Sequence, residues 1–170
     1  AMTEGPFYPP ARWRERWSDW DADLTRVTHR GETRIARGEH LGLELAVVDA
    51  DGRAVDRCEV EIWQCDVQQQ YRHPSVPLDD VVPGREAGLR QDPGFQGFGS
   101  ATGDARGAVS FRTIRPVPYP GRTPHIHVKL RHVTFGELTS QLFVAGDTGN
   151  AEDGLWRRLP AADREGLEMR

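Results

Sequence analysis

Short alternating runs punctuated by glycine and proline dominate this chain, and they restrict it to a fold of many brief strands. Its 170 residues include 18 glycines and 12 prolines. Helical periodicity is scarce, so apolar side chains have to be buried by strands joined through turns. Leu41 to Val48 is broadly apolar and reads as a buried strand. Glu59 to Cys65 places Val60 and Ile62 on one face and Glu61, Trp63 and Cys65 on the other, because successive side chains alternate in a strand. On that second face Trp63 reads as core, and Glu61 needs a partner or solvent. Further strands are expected at Leu24 to Val27, Ala108 to Thr113, His125 to Leu130 and Leu138 to Ala145. Asp49-Ala50-Asp51-Gly52 is a hairpin turn signal, and Gly103-Asp104 marks another turn. Gly154 to Leu167 reads as a short helix broken by Pro160. About seven strands, with no internal repeat and no domain boundary, make an all-β antiparallel β-sandwich with long loops and a short C-terminal helix. It is read as one domain over residues 1–170, with residues 1–22 as an N-terminal arm.

In that arm Trp13, Trp17 and Trp20 recur at helical spacing and read as a short helix packing its indoles on the domain; Tyr8 is placed at the mouth of a pocket. Asp66 to Gly99 is long and irregular, with prolines at 74, 77, 83 and 93, and loops of that length in compact domains are usually functional or mobile. The net charge of −4 gives no footprint for nucleic acid, and no apolar run is long enough to span a membrane. Cys58 and Cys65 would lie roughly 23 Å apart on an extended strand, so free thiols are expected. The compartment stays open: cytoplasmic, or exported if a targeting segment has been trimmed away.

The chemistry concentrates in Phe111 to Leu130, FRTIRPVPYPGRTPHIHVKL. His125 and His127 are two apart on an alternating run, so they face the same way and can share a metal. Pro116, Pro118, Pro120 and Gly121 signal a loop that brings Tyr119 and Arg122 beside them. A deprotonated tyrosine is a hard anionic ligand, and its ordinary pKa of about 10 means that a highly charged cation is needed to favour the phenolate. A set of tyrosines and histidines therefore points to ferric iron rather than to the two-histidine, one-carboxylate set of ferrous oxygenases. Taken alone, each residue has a plainer use, as a packed turn tyrosine, a solvated arginine or a structural His-x-His. A metal-free β-sandwich binding module and a zinc hydrolase using the histidine pair both remain open on spacing alone.

Several separated segments resemble, in order, the intradiol ring-cleavage dioxygenases, the family of protocatechuate 3,4-dioxygenase and catechol 1,2-dioxygenase. They are Thr3-Glu4-Gly5-Pro6-Phe7-Tyr8, Asp23-Leu24-Thr25, Val60-Glu61-Ile62-Trp63-Gln64 with Tyr71 at the matching distance, and Phe111 to Pro116 followed by Pro118-Tyr119-Pro120. Arg122-Thr123-Pro124-His125-Ile126-His127, Ser140-Gln141-Leu142-Phe143 and Gly146-Asp147 complete the set, which spans Thr3 to Thr148. The resemblance implies active-site loops on a sandwich and Fe(III) held by Tyr71, Tyr119, His125 and His127. In it, Tyr119 and His125 are axial, and Tyr71 and His127 are equatorial. It implies that a catechol is cleaved between its hydroxyls with O2 to give a muconate. Tyr119 would leave the metal and take a proton, Arg122 would stabilise negative charge on the ring, Gln141 would orient the same region, and Tyr8 would line the substrate pocket. Protocatechuate enzymes use two different chains per site; a homo-oligomer is expected here instead.

Three features depart from the family pattern. Gln68-Gln69-Gln70 stands where glycines usually precede the first tyrosine, only two residues separate Tyr119 from Arg122 where protocatechuate enzymes carry a longer insertion, and this sequence does not include the long helical N-terminal region that catechol 1,2-dioxygenases use to dimerise. Arg72, Arg112, Arg115, Arg122, Lys129 and Arg131 all fall on or near the motif. They suggest a basic, tolerant pocket that also admits anionic catechols.

Overall fold

The computed structural model describes residues 1–14, 19–73 and 91–170. The strands among them are β1 (Arg26–His29), β2 (Glu32–Ile35), β3 (His40–Ala46), β4 (Glu59–Trp63), β5 (Phe98–Thr102), β6 (Ala108–Ile114), β7 (His125–His132), β8 (Gly136–Val144) and β9 (Glu168–Met169). β1 and β2 form a hairpin of their own, β3 pairs antiparallel with β6, and the remaining strands form a sheet in the order β5-β4-β7-β8-β9. Every pairing is antiparallel except the short one between β8 and β9. The sandwich is thus all-β, with one parallel addition at its edge.

Alternation builds the space between the layers. β6 buries Val109, Phe111 and Thr113 and exposes the residues between them. With Leu43 of β3 and Ile114, Val109 and Phe111 pack into one core with Val60 and Ile62 of β4, Ile126 and Val128 of β7 and Leu142 of β8. Gln64 and Thr113 are buried there too, and they satisfy each other: the Thr113 hydroxyl donates to Gln64 Oε1 (2.8 Å) and Gln64 Nε2 to the Ile114 carbonyl (3.1 Å). β4 and the first five residues of β7 break the one-sided pattern, since residues on both of their faces are buried apart from Glu59 at the edge. Their second face carries Glu61, Trp63, His125, His127 and Lys129. Polar groups on a face closed to water need partners, and they find them in the N-terminal arm and the loops.

The expected strands are present, some displaced by a residue or two at their ends; the first begins at Arg26 because Leu24 and Thr25 form a turn. β2, β5 and β9 were not legible. Every residue of β2 is exposed, so no alternation marks it. β5 is small-residued, and Gly99 lets it approach Asp21 and Leu24 so closely that a Cβ would lie 2.6 Å from the Asp21 carbonyl oxygen. β9 is only two residues long. Asp49 to Gly52 does turn, bridged at Val48 and Ala54, but it does not join β3 to β4 as a hairpin, because β3 pairs with β6.

The arm forms the short helix α1 (Ala11–Arg14), and Trp20 packs edge-on to Phe98 at 5.0 Å. Trp17 and most of the long loop, residues 74–90, lie outside the described residues. At the other end Pro160 splits the expected helix into α2 (Gly154–Arg158) and α3 (Ala161–Arg164). Cys58 and Cys65 are both buried and are not joined in a disulfide. No helix among the described residues is long and apolar enough to cross a membrane.

Candidate metal centre

Strand geometry sets the first two groups. His125 and His127 project from the same face of β7 with ring centroids 5.0 Å apart. The Thr123 carbonyl, 2.6 Å from His125 Nδ1, fixes that ring with its Nδ1 proton and leaves the Nε2 lone pair outward. His127 lies across the ladder from Trp63 and is held by stacking on it, 4.8 Å between centroids and 12° between planes. Its Nδ1 is buried with no hydrogen-bond partner among the described residues.

Two loops supply the phenols. Tyr119 and Arg122 close a tight turn through both backbone hydrogen bonds, 3.2 and 2.8 Å, with Pro120 and Gly121 between them. Gly121 has φ 81°, the left-handed value that the third position of a type II turn requires. Tyr71 follows β4 on a loop wound around the Asp66 carboxylate, which accepts from the N–H groups of Gln68 (2.9 Å), Gln70 (2.9 Å) and Asp92 (2.7 Å). Burial nevertheless pushes the Asp66 carboxyl up to about 6. Gln69 adopts φ 64° in that loop, a left-handed conformation that costs a non-glycine residue about 1 kcal/mol.

The four side chains converge. Tyr71 Oη lies 3.0 Å from His127 Nε2 and 3.4 Å from His125 Nε2, and Tyr119 Oη lies 3.4 Å from His125 Nε2. Burial, and then the Arg122 guanidinium, push His125 down to about 4. Burial, His125 and Arg122 push His127 well below its ordinary value too. Both imidazoles are therefore neutral at pH 7, with lone pairs available. Burial, reinforced by Tyr119, drives the Tyr71 phenol well above 10. Only a multiply charged cation can draw phenolates out of such a site. Among the described residues no group of three or more His, Cys, Asp or Glu side chains is placed to hold a metal.

Arg122 and Gln141 stand beside this group. Gln141 faces His127 across the β7–β8 ladder, and its Oε1 accepts from Arg122 Nη2. Arg122 Nε donates to Asp153 Oδ2 (2.8 Å), which also accepts from the Thr123 N–H (3.0 Å). The other Asp153 oxygen caps α2 through the N–H groups of Leu155 and Trp156. Although burial opposes it, the Arg122, Trp156 and Thr123 donors hold the Asp153 carboxyl below its ordinary value. Sequence reading missed Asp153. Its place before an apolar run is a cap signal, but nothing local ties that cap to an arginine 31 residues away. Asp153→Ala should cost about 2–3 kcal/mol, combining a lost cap with a partly buried arginine left without its carboxylate. The shift of the urea midpoint measures it.

A cavity of about 410 Å³ opens beside Tyr119 and Arg122, bordered by Pro118, Pro124, Gly149 and Glu152. Tyr8 is elsewhere: its hydroxyl donates to Glu61 Oε2 (2.6 Å) and accepts from Arg131 Nη2 (2.7 Å), and its ring meets Trp63 edge-on. Four of the six basic residues near the motif are paired with carboxylates. Arg131 contacts Glu59, Glu61 and Glu137; Lys129 contacts Glu4 and Glu137; Arg122 contacts Asp153; and Arg115 contacts Glu39. These pairings reduce the positive charge expected to attract anionic catechols.

The chain is also similar to known proteins. The family model described as Dioxygenase (Dioxygenase_C) matches residues 4–157. The protocatechuate 3,4-dioxygenase beta chain of Burkholderia cepacia is 33% identical, over 96% of this chain and 68% of its own length. Catechol 1,2-dioxygenase 2 of Acinetobacter lwoffii is 28% identical, over 96% of this chain and 56% of its own length. Among solved structures, the dioxygenase domain of a dioxygenase carbohydrate-binding protein fusion from Streptomyces sp. SirexAA-E superposes with a TM-score of 0.64 and 26% identity, covering 99% of this chain and 84% of that one.

Proposed function

The chain belongs to the intradiol ring-cleavage dioxygenase family, and from that premise we propose that it uses ferric iron to open a catechol between its two hydroxyls, incorporating both atoms of O2 and giving a muconate. The observation that carries the reading is the convergence of two phenol oxygens and two imidazole nitrogens with separations of 3.0 to 3.4 Å. Tyr71, Tyr119, His125 and His127 would hold the metal, and hard phenolate donors suit a trivalent ion better than Zn(II). Ferric iron bound there would supply the charge that favours phenolate and catecholate and draws electron density from the ring, opening it to O2.

The chain's own residues do the rest. Tyr119 is half-buried at the edge of the cavity and is the base suited to take a proton from a catechol hydroxyl. Arg122, tied to Asp153 and Gln141, presents a fixed positive charge to the anion that develops on the ring. Gln141 orients that guanidinium. Phe7 and Trp63, stacked on Tyr71 and His127, keep water from the far side of the centre.

Purified protein loaded with iron should show a broad visible band from tyrosinate-to-iron charge transfer and should consume O2 with catechol. Bound zinc, with neither absorbance nor O2 uptake after iron reconstitution, would overturn the reading. Removing the iron should leave the far-ultraviolet circular dichroism unchanged, because the layers are held by residues such as Val60, Ile62 and Phe111. Each buried side chain of that kind contributes roughly 1.5–3 kcal/mol whether or not metal is present. An unfolded iron-free protein would contradict this.

A further inference from the structure

Glu61 is 1% exposed, and the metal centre makes no use of it. A carboxylate is seldom buried so completely unless it is paired. Glu61 has three donors: Arg14 Nη1 (2.7 Å) and Arg131 Nη1 (2.6 Å) on Oε1, and the Tyr8 hydroxyl (2.6 Å) on Oε2. Arg131 comes from β7, the neighbouring strand, but Tyr8 and Arg14 come from the N-terminal arm. Two of the three groups that satisfy this buried charge therefore arrive from a segment about fifty residues away in the chain.

The same short segment touches the metal centre. Phe7, next to Tyr8, stacks on Tyr71 with 4.7 Å between centroids and 16° between planes. Gly5 has φ 75°, and a Cβ on it would lie 3.9 Å from His127 Cε1. Ties flank these contacts on both sides: Met2 N–H to the Thr139 carbonyl (2.7 Å), Glu4 to Lys129 (2.5 Å), and the Trp20 indole to the Arg14 carbonyl (2.7 Å). Lys129 Nζ, 4.6 Å from the centroid of the Tyr8 ring, adds a cation–π contact.

We propose that Glu61 is a positioning residue that latches the N-terminal arm over Tyr71 and His127 and so sets the wall of the metal centre. The proposal rests on the dioxygenase reading for its kinetic consequence, but not for the latch itself. Because Phe7 and Tyr8 are adjacent, a Tyr8 released from Glu61 frees Phe7 to leave Tyr71. A wall that shifts by about 1 Å can cost on the order of 100-fold in a reaction that depends on orientation.

Glu61→Gln keeps the shape and removes the charge. Tyr8→Phe removes one tie from the arm, leaves the Arg14 and Arg131 pairs in place, and decides the matter if Glu61→Gln fails to fold. In iron-free protein, amide hydrogen exchange across residues 3–14 should rise about tenfold or more in either variant, while exchange in β6 stays unchanged. In iron-loaded protein the variants should retain iron, and KM for catechol should rise by more than kcat falls. Arm exchange equal to wild type in the folded variants would overturn the latch. Faster exchange with unaltered kinetics would overturn its role at the site. A wild-type protein with no visible band and no O2 uptake would instead count against the dioxygenase reading, while the exchange result still judges the latch.

Discussion

Replacing His125 or His127 with alanine should give a folded, colourless protein that binds iron poorly and has lost its ring-opening activity, whereas Tyr119→Phe should keep iron and react slowly. Each histidine offers a neutral Nε2 within 3.0 to 3.4 Å of a tyrosine oxygen, so either deletion removes a donor from the convergent set. Losing a mere outer partner of a metal ligand typically costs 10–100-fold in affinity or activity, roughly, and losing the ligand should exceed that. The strands should survive, because Ile126 and Val128 on the opposite face of β7 continue to pack into the core. Tyr119 differs. It sits half-buried on a turn closed by two backbone hydrogen bonds, where it is suited to release and to proton acceptance. Metal analysis, the visible spectrum and O2 uptake on the three variants separate the roles. Equal iron loss in all three would show that Tyr119 holds the metal as firmly as the histidines.

Trp63→Ala should be the most destabilising single substitution tied to the site, at about 3–5 kcal/mol, with a loosened His127 as its second effect. Trp63 is 1% exposed and lies in a cluster with Cys65, Tyr71 and Phe98, packed against Phe7, Tyr8 and Trp20. Its ring is the one stacked face-on against His127, whose Nδ1 has no hydrogen-bond partner among the described residues. The substitution therefore opens a cavity and frees a metal-facing ring together. Denaturant unfolding measures the first effect, and the iron dissociation rate measures the second. Trp63→Phe should recover most of the stability and part of the iron retention, because an aromatic face remains opposite the imidazole. A variant as stable as wild type, with unchanged iron release, would refute this account.

Three kinds of information were legible along the chain. Alternation put Val60 and Ile62 on one face of β4 and Glu61 and Trp63 on the other, and it put His125 and His127 on one side of β7. Proline and glycine chemistry marked the turn that carries Tyr119 and Arg122, and Pro160 divided the C-terminal helix. Resemblance to a family supplied Tyr71, whose loop has no local signal of its own.

Other features exist only in three dimensions. β3 pairs with β6 rather than with the next strand, and Gly99 allows β5 to press against Leu24. Arg115, Arg122, Lys129 and Arg131, which read as part of a basic patch, are paired with carboxylates, and the tyrosine expected at the pocket mouth is bonded to Glu61. The division has a physical basis. Side-chain alternation and turn preference are set by neighbours one to four residues away, so the sequence by itself determined which strands could form and which histidines share a face. Charge balance and the closing of the N-terminal arm depend on contacts such as Glu4 with Lys129, 125 residues apart, so only the tertiary structure decided them.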